Sequence, residues 1–205
     1  MALTERQPPR RQYDNTLRRQ RADETRERIV AAGVQLLHGF PIWNWRALTA
    51  RAAAQRAGVN ERTVYRHFAT EKDLRDAVMA RLEQEAGVEL EGLRLERVQE
   101  VATRILQYAA TFPIEPRTPR EPTVAAANAR QREALLGAVR TAAKRWPPGD
   151  RTIAAALLDV LWSPMSFERL VTDWELDPQE AIAGIMWAIG LLQHALAEGP
   201  RPLGG

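Results

Sequence analysis

The 205-residue chain contains no cysteine. Disulfides and thiolate metal sites are thereby excluded. Histidine is nearly as scarce: His38, His67 and His194 are the only three. They lie far apart and lack the spacing of a metal-binding helix pair. There is no glycine-rich phosphate loop and no GxSxG turn, so the usual marks of nucleotide-binding or hydrolytic chemistry are missing. Carboxylates are plentiful but fall on helix surfaces, where solvation is the default. No enzyme activity, cofactor or metal is expected. No apolar run comes near the length of a bilayer crossing. The N-terminal MALTERQPPRRQYDNTLRRQRADE has no apolar centre, so it is not a secretory signal. A cytoplasmic protein without a membrane partner is expected. Lysine is rare too: Lys72 and Lys144 are the only two, and every other cation is arginine.

What remains is an Arg- and Ala-rich chain, 45% hydrophobic, long enough for one domain or for a small and a medium one. Its net charge of +3 is unevenly placed. Through residue 70, thirteen Arg face six acidic residues; beyond it, sixteen basic residues face twenty acidic ones. A basic N-terminal part suits a polyanion partner, and the rest does not. No strand pattern or internal repeat is present, so the expected fold is all-α with about nine helices.

The most informative stretch is Thr49–Phe68, TARAAAQRAGVNERTVYRHF. Thr49 fits an N-cap, and Ala50, Ala53, Ala54 and Ala57 give a small apolar face that lets a second helix cross closely. Gly58 suits a left-handed position after the helix, with Val59 anchoring the turn. Asn60 can cap a second helix, ERTVYRH, about two turns and roughly 10 Å long, a fit to a DNA major groove. Val64 and Phe68 point inward at i and i+4. Glu61, Arg62, Thr63, Tyr65, Arg66 and His67 are left on the outer surface. Two short helices about a glycine turn describe a helix-turn-helix reader of duplex DNA.

AAQRAGVNERTVYRHFATEKDL resembles the DNA-binding region of the TetR family of bacterial regulators. The AGV turn, Thr63, the YRHF end and Lys72 carry the resemblance, which covers roughly residues 22–82. It implies an all-α homodimer: a DNA-binding domain at 22–82, with the motif at about 48–67, followed by an effector-binding and dimerisation domain at 83–200. It further implies that Thr49, Tyr65, His67 and Lys72 contact phosphates, and that Asn60, Arg62, Thr63 and Arg66 face base edges or nearby backbone. Two departures stand out. The segment FPIWNWRAL between Gly39 and Thr49 is longer than usual and carries Trp43 and Trp45, expected to cover the core; position 53 is Ala where a larger aliphatic residue is more usual.

Residues 1–21 read as a disordered basic tail whose Arg10, Arg11, Arg18, Arg19 and Arg21 would reach DNA or remain solvated. The first helix is expected from about Asp23 to His38, with Ile29, Val30, Gly33, Leu36 and Leu37 inward. The fourth starts at Thr70-Glu71 with Leu74, Val78 and Leu82 inward. Helical period continues from Leu93 to Phe112 and ends at Pro113. PIEPRTPREP is too proline-dense for helix. Helices follow from Thr123 to Arg145, from an Asp150 cap to Trp162, from Ser163-Pro164, and from Asp177-Pro178 with Glu180 completing a capping box.

The last two helices are apolar on more than one face. Met165, Leu170, Val171 and Trp174 mark one; Ile182, Ile185, Ile189, Leu192 and Leu196 mark the other. The resemblance implies that these two helices build the homodimer interface. It also places Tyr108, Phe112, Trp146, Trp162, Met165 and Phe167 in segments that line an effector pocket, which suggests an apolar or aromatic small molecule. The leading function is repression at a pseudo-palindromic double-stranded operator, relieved by such an effector. An effector-independent regulator or activator, and a helical module that docks an acidic protein, remain as alternatives.

Overall fold

The computed structural model describes residues 15–115 and 121–199. Among these residues there are nine α helices, two 3-10 turns and no strand, so the fold is all-α as expected. The chain parts into two compact units between Arg117 and Thr118. The tail segment 1–14, with Arg10 and Arg11, lies outside the described residues.

The first unit holds α1 (Asn15–Leu37), a 3-10 turn at Trp45–Ala47, α2 (Ala50–Ala57), α3 (Glu61–His67), α4 (Glu71–Glu85), a second 3-10 turn at Leu95–Arg97, and α5 (Val98–Ala109). The first helix begins earlier than its acidic start signal at Asp23 suggested. Arg18, Arg19 and Arg21 therefore sit on an exposed helical turn rather than in a disordered tail. The segment is rich in good helix formers, and Gln20 Nε2 donates to Glu24 one turn on at 3.1 Å.

The core of this unit combines Ile29, Val30, Val34 and Leu37 of α1 with Leu48, with Ala50, Ala53 and Ala54 of α2, and with Val64, Phe68 and the α4 stripe Leu74, Val78 and Leu82. Gly33 sets how closely α1 approaches α4: a Cβ there would lie 2.6 Å from Val78 Cγ2 and 3.3 Å from Leu48 Cδ1. Ala53 is fully buried, and its small size suits the close α1–α2 contact. Of the two loop tryptophans, Trp45 packs against the core, whereas Trp43 is 37% exposed. Helix α5 belongs with this unit. Phe112, just beyond it, is 3% exposed inside the same core, and Tyr108 packs alongside. The expected functional division after residue 82 thus lies near the end of α4, within the first unit.

The second unit comprises α6 (Pro122–Ala142), α7 (Pro148–Leu161), α8 (Pro164–Thr172) and α9 (Pro178–Glu198). Ser163 caps α8 through the N–H of Ser166, and Asp177 with Glu180 forms the expected capping box of α9. Helix α7 departs from expectation. It starts at Pro148, so Asp150 lies in its first turn rather than at its cap, and no side chain caps it. Its core joins Leu135, Val139, Trp146, Ala154, Ala155, Leu158 and Leu196. Trp146 Nε1 donates to the Leu196 carbonyl at 3.1 Å, tying the α6–α7 connection to the end of α9. Contrary to the reading of its runs, α9 is long and apolar enough, by length and composition, to cross a membrane. Its Ala181, Ile185 and Leu196 are nevertheless buried within the unit.

Candidate nucleic-acid interface

The helix-turn-helix geometry follows from its caps. Thr49 Oγ1 accepts the Ala52 N–H at 3.1 Å and starts α2. Gly58, at φ 66° and ψ 36°, ends it in the left-handed conformation that a side chain would strain. Asn60 Oδ1 accepts the Arg62 N–H at 2.8 Å and starts α3. Val64 and Phe68 are 1% and 3% exposed, so the inner side of α3 is fixed and its outer side is determined by elimination.

That outer side carries Asn60, Arg62, Thr63, Tyr65 and Arg66, which line one concave surface of about 490 Å³. Arg62 and Arg66 are exposed, Tyr65 is 45% exposed and Thr63 is half-buried. Five of the eight residues expected to touch DNA therefore share one face. The other three are not part of that surface: Thr49 precedes α2, His67 is in the last turn of α3 and Lys72 is in the first turn of α4. In Thr49 and Asn60 the cap uses an acceptor oxygen and leaves the hydroxyl hydrogen and the amide NH2 as donors. Donors are what a phosphate oxygen or a purine acceptor needs.

Two members of the set are constrained. His67 is half-buried, and its Nε2 is enclosed without a hydrogen-bond partner. Burial lowers its pKa below the ordinary value; Arg66 and Arg26 push in the same direction, and Asp23 opposes them. Lys72 is exposed, but its Nζ donates to Asp76 Oδ2 at 2.6 Å. That hydrogen bond, reinforced by the Asp76 charge, raises the ammonium pKa.

Three supporting residues were not evident from sequence. Glu71 Oε1 accepts the Ala50 N–H at 3.0 Å, joining the start of α4 to the start of α2. Arg75 donates from Nε to the Leu48 carbonyl at 3.3 Å and from its terminal nitrogen to Glu71 Oε2 at 3.4 Å. Arg26 lies over the Phe68 ring, 5.0 Å from its centre, and covers the residue that closes α3.

The family model for bacterial regulatory proteins of the tetR family matches residues 44–78. The chain belongs to the TetR family. The matched segment runs from the first 3-10 turn to the middle of α4 and contains all eight residues expected at DNA. This TetR-family chain is a DNA-binding transcriptional regulator. No curated protein matches it.

The residues expected in an effector pocket are less uniform. In the first unit, Phe112 stacks on His38 with ring centres 4.2 Å apart. Tyr108 donates its hydroxyl to Glu85 Oε2 at 2.8 Å. Burial, and then that hydrogen bond, raises the Tyr108 pKa. Tyr108 thus ties α5 to the end of α4, and Phe112, beyond α5, packs on His38 just after α1. Tyr108 also borders an apolar groove of about 200 Å³ with Ile42, Trp45 and Leu82. In the second unit, Trp146 fills the core, Phe167 is half-buried, and Trp162 and Met165 are exposed. Phe112 and Trp146 are thus core residues of their own units rather than free pocket lining.

The expected dimer residues divide as well. Ile185 and Leu196 are buried in their own unit, and Ile189 and Leu192 pack against its core. Those four are intramolecular contacts, because α9 turns that stripe inward. Leu170 and Val171 are half-buried, while Trp174 and Ile182 remain exposed. The outer stripe of α9 is completed by Met186, Trp187 and Leu191, of which Trp187 is 70% exposed.

Proposed function

We propose that this regulator is a homodimeric repressor that leaves a pseudo-palindromic operator when a small molecule binds. The observation that carries the DNA-reading part is the shared face of α3: Arg62, Tyr65 and Arg66 project from a helix whose opposite side is buried. Arginine can bridge guanine O6 and N7, and a tyrosine hydroxyl can donate to a phosphate.

Dimerisation is supported by the outer stripe of α9. Ile182, Met186, Trp187 and Leu191 leave a contiguous apolar surface that a second copy would cover. Two copies would set two α3 helices about 34–36 Å apart, one turn of B-DNA. In this reading residues 22–82 bind DNA and residues 83–200 bind the effector and the second copy. An effector would act by preferring a conformation whose two reading helices no longer match that spacing. Such a protein works in the cytoplasm, where the operator is.

The test is selection of genomic fragments by the purified protein at about 0.15 M salt, where non-specific phosphate binding is weak. Enrichment of one inverted repeat is the expected result. Binding without an enriched sequence would instead indicate an architectural role.

A further inference from the structure

The second unit carries a cationic groove between α6 and α7. It has a volume of about 540 Å³ and is lined by Arg132, Glu133, Leu136 and Arg140 of α6 with Pro148 and Arg151 of α7. Arg132, Leu136 and Arg140 recur at every fourth position, so all three face the same way along α6. Three guanidinium groups thus meet one carboxylate. Among the described residues none of the three has an ion-pair partner; Arg140 Nε reaches only the Leu136 carbonyl of its own helix, at 3.3 Å.

Arg151 is half-buried at the edge of this groove. Its Nε is buried and has no hydrogen-bond acceptor. Because that nitrogen is enclosed, it is the terminal nitrogens of Arg151 that are left for a molecule in the groove. The groove also lies at the start of α7, whose first turn has no side-chain cap. The positive end of that helix adds to the three arginines, partly offset by Asp150 in the same turn.

The groove does not end at the arginines. A smaller recess of about 110 Å³ shares Arg132, Leu136 and Thr152 with it and continues along Ala155 and Ala156. Asp159, at its far side, is engaged by Gln131 Nε2 at 2.7 Å. A cationic opening that leads into a small apolar recess selects a molecule with the same two parts. A bare inorganic anion would leave the recess empty, and a neutral apolar molecule would leave the guanidiniums unpaired.

We infer that the groove between α6 and α7 binds a small organic carboxylate with a short apolar or aromatic tail, its carboxylate held by Arg132, Arg140 and Arg151 and its tail against Leu136 and Ala156. As the effector site, this inference rests on the ligand-released reading above and names the chemical class of the ligand. Planar, two-pronged guanidinium–carboxylate pairing suits the arginines.

Isothermal titration of the full-length protein with 3-phenylpropionate, its neutral amide and inorganic phosphate, at about 0.15 M salt, tests the site. The carboxylate should bind once per chain and more tightly than either other probe. Arg151→Gln and Arg132→Gln should each weaken it about tenfold, the loss of one charge-assisted contact. Ala156→Phe, which fills the recess, should weaken it with all three arginines in place. Thermal unfolding of each variant confirms that it is folded. Equal binding of the amide, equal binding of phosphate, no carboxylate binding, or unchanged affinity in folded variants would each overturn the inference. A parallel titration of the DNA complex separates the two readings. Carboxylate binding with release of DNA supports both; carboxylate binding with DNA retained keeps the site and overturns its role as the effector site.

Discussion

Glu71 accepts the backbone N–H of Ala50 at 3.0 Å, so the first residue of α4 closes the first turn of α2. The carboxylate sits where the α2 dipole favours negative charge, and Arg75 holds it from the next turn of α4. With Arg75, which also donates to the Leu48 carbonyl, the Glu71 side chain ties the start of the reading motif to α4. Glu71→Ala should cost about 1–2 kcal/mol in stability, the range for a charge-assisted hydrogen bond at a helix start. Denaturant unfolding measures it. Glu71→Gln should lose less than Glu71→Ala, because its amide oxygen can still accept.

Gly33 offers a second test of the same scaffold. Alanine favours helix by up to about 1 kcal/mol over glycine, but its Cβ would press on Val78 at 2.6 Å. Overpacking of that kind costs about 1–3 kcal/mol. Gly33→Ala should therefore destabilise the protein despite its better helix propensity, as read by the midpoint of thermal unfolding. A rise in the midpoint would mean that α1 and α4 can separate without cost.

How much of this was legible from sequence follows the range of each interaction. Thr49, Gly58 and Asn60 act on residues two to four away, and their caps were readable one by one. Glu71 is as local in type, but its partner lies twenty-one residues back, which no periodicity reveals. Helix α7 was expected from an Asp150 cap, but Pro148 opens it two residues earlier, since a proline is well placed in a helix's first turn. Helix α9 is apolar on several faces, so its period could not say which stripe turns inward. Ile185 and Leu196 do, while Met186, Trp187 and Leu191 do not. The arginine groove was hidden because Arg132 and Arg140 meet Arg151 only through the packing of two helices, in a chain where almost every cation is arginine.

Lys72 is held by Asp76, one turn along α4. A phosphate at Lys72 has to compete with that carboxylate, and the Asp76 charge repels the DNA backbone. Asp76→Ala should tighten DNA binding and do so for operator and non-operator sequences alike, because phosphate contacts carry no sequence information. Fluorescence anisotropy with both duplexes reads this directly. A gain confined to the operator would place Lys72 at a base edge instead.

His67 gives a pH dependence with a defined sign. Burial, Arg66 and Arg26 lower its pKa in the folded state. The folded state therefore favours neutral imidazole. The corresponding stability is complete above the unfolded value of about 6.5 and is lost as pH falls through the lower folded value. Unfolding measured from pH 7.5 to about 5 should show a fall in stability that flattens in His67→Gln. A parallel fall in the variant would assign the loss to other groups.

The central claim is that the outer face of α3 reads DNA sequence. The most direct measurement is the affinity of wild type, Arg62→Ala and Tyr65→Ala for an enriched operator and for a shuffled duplex at the same salt. Each substitution should cost about 1–3 kcal/mol on the operator. Arg62→Ala should also narrow the gap between operator and shuffled DNA. Unchanged operator affinity in both variants, each with its helical content and thermal transition intact, would contradict the assignment of α3 as the reading helix.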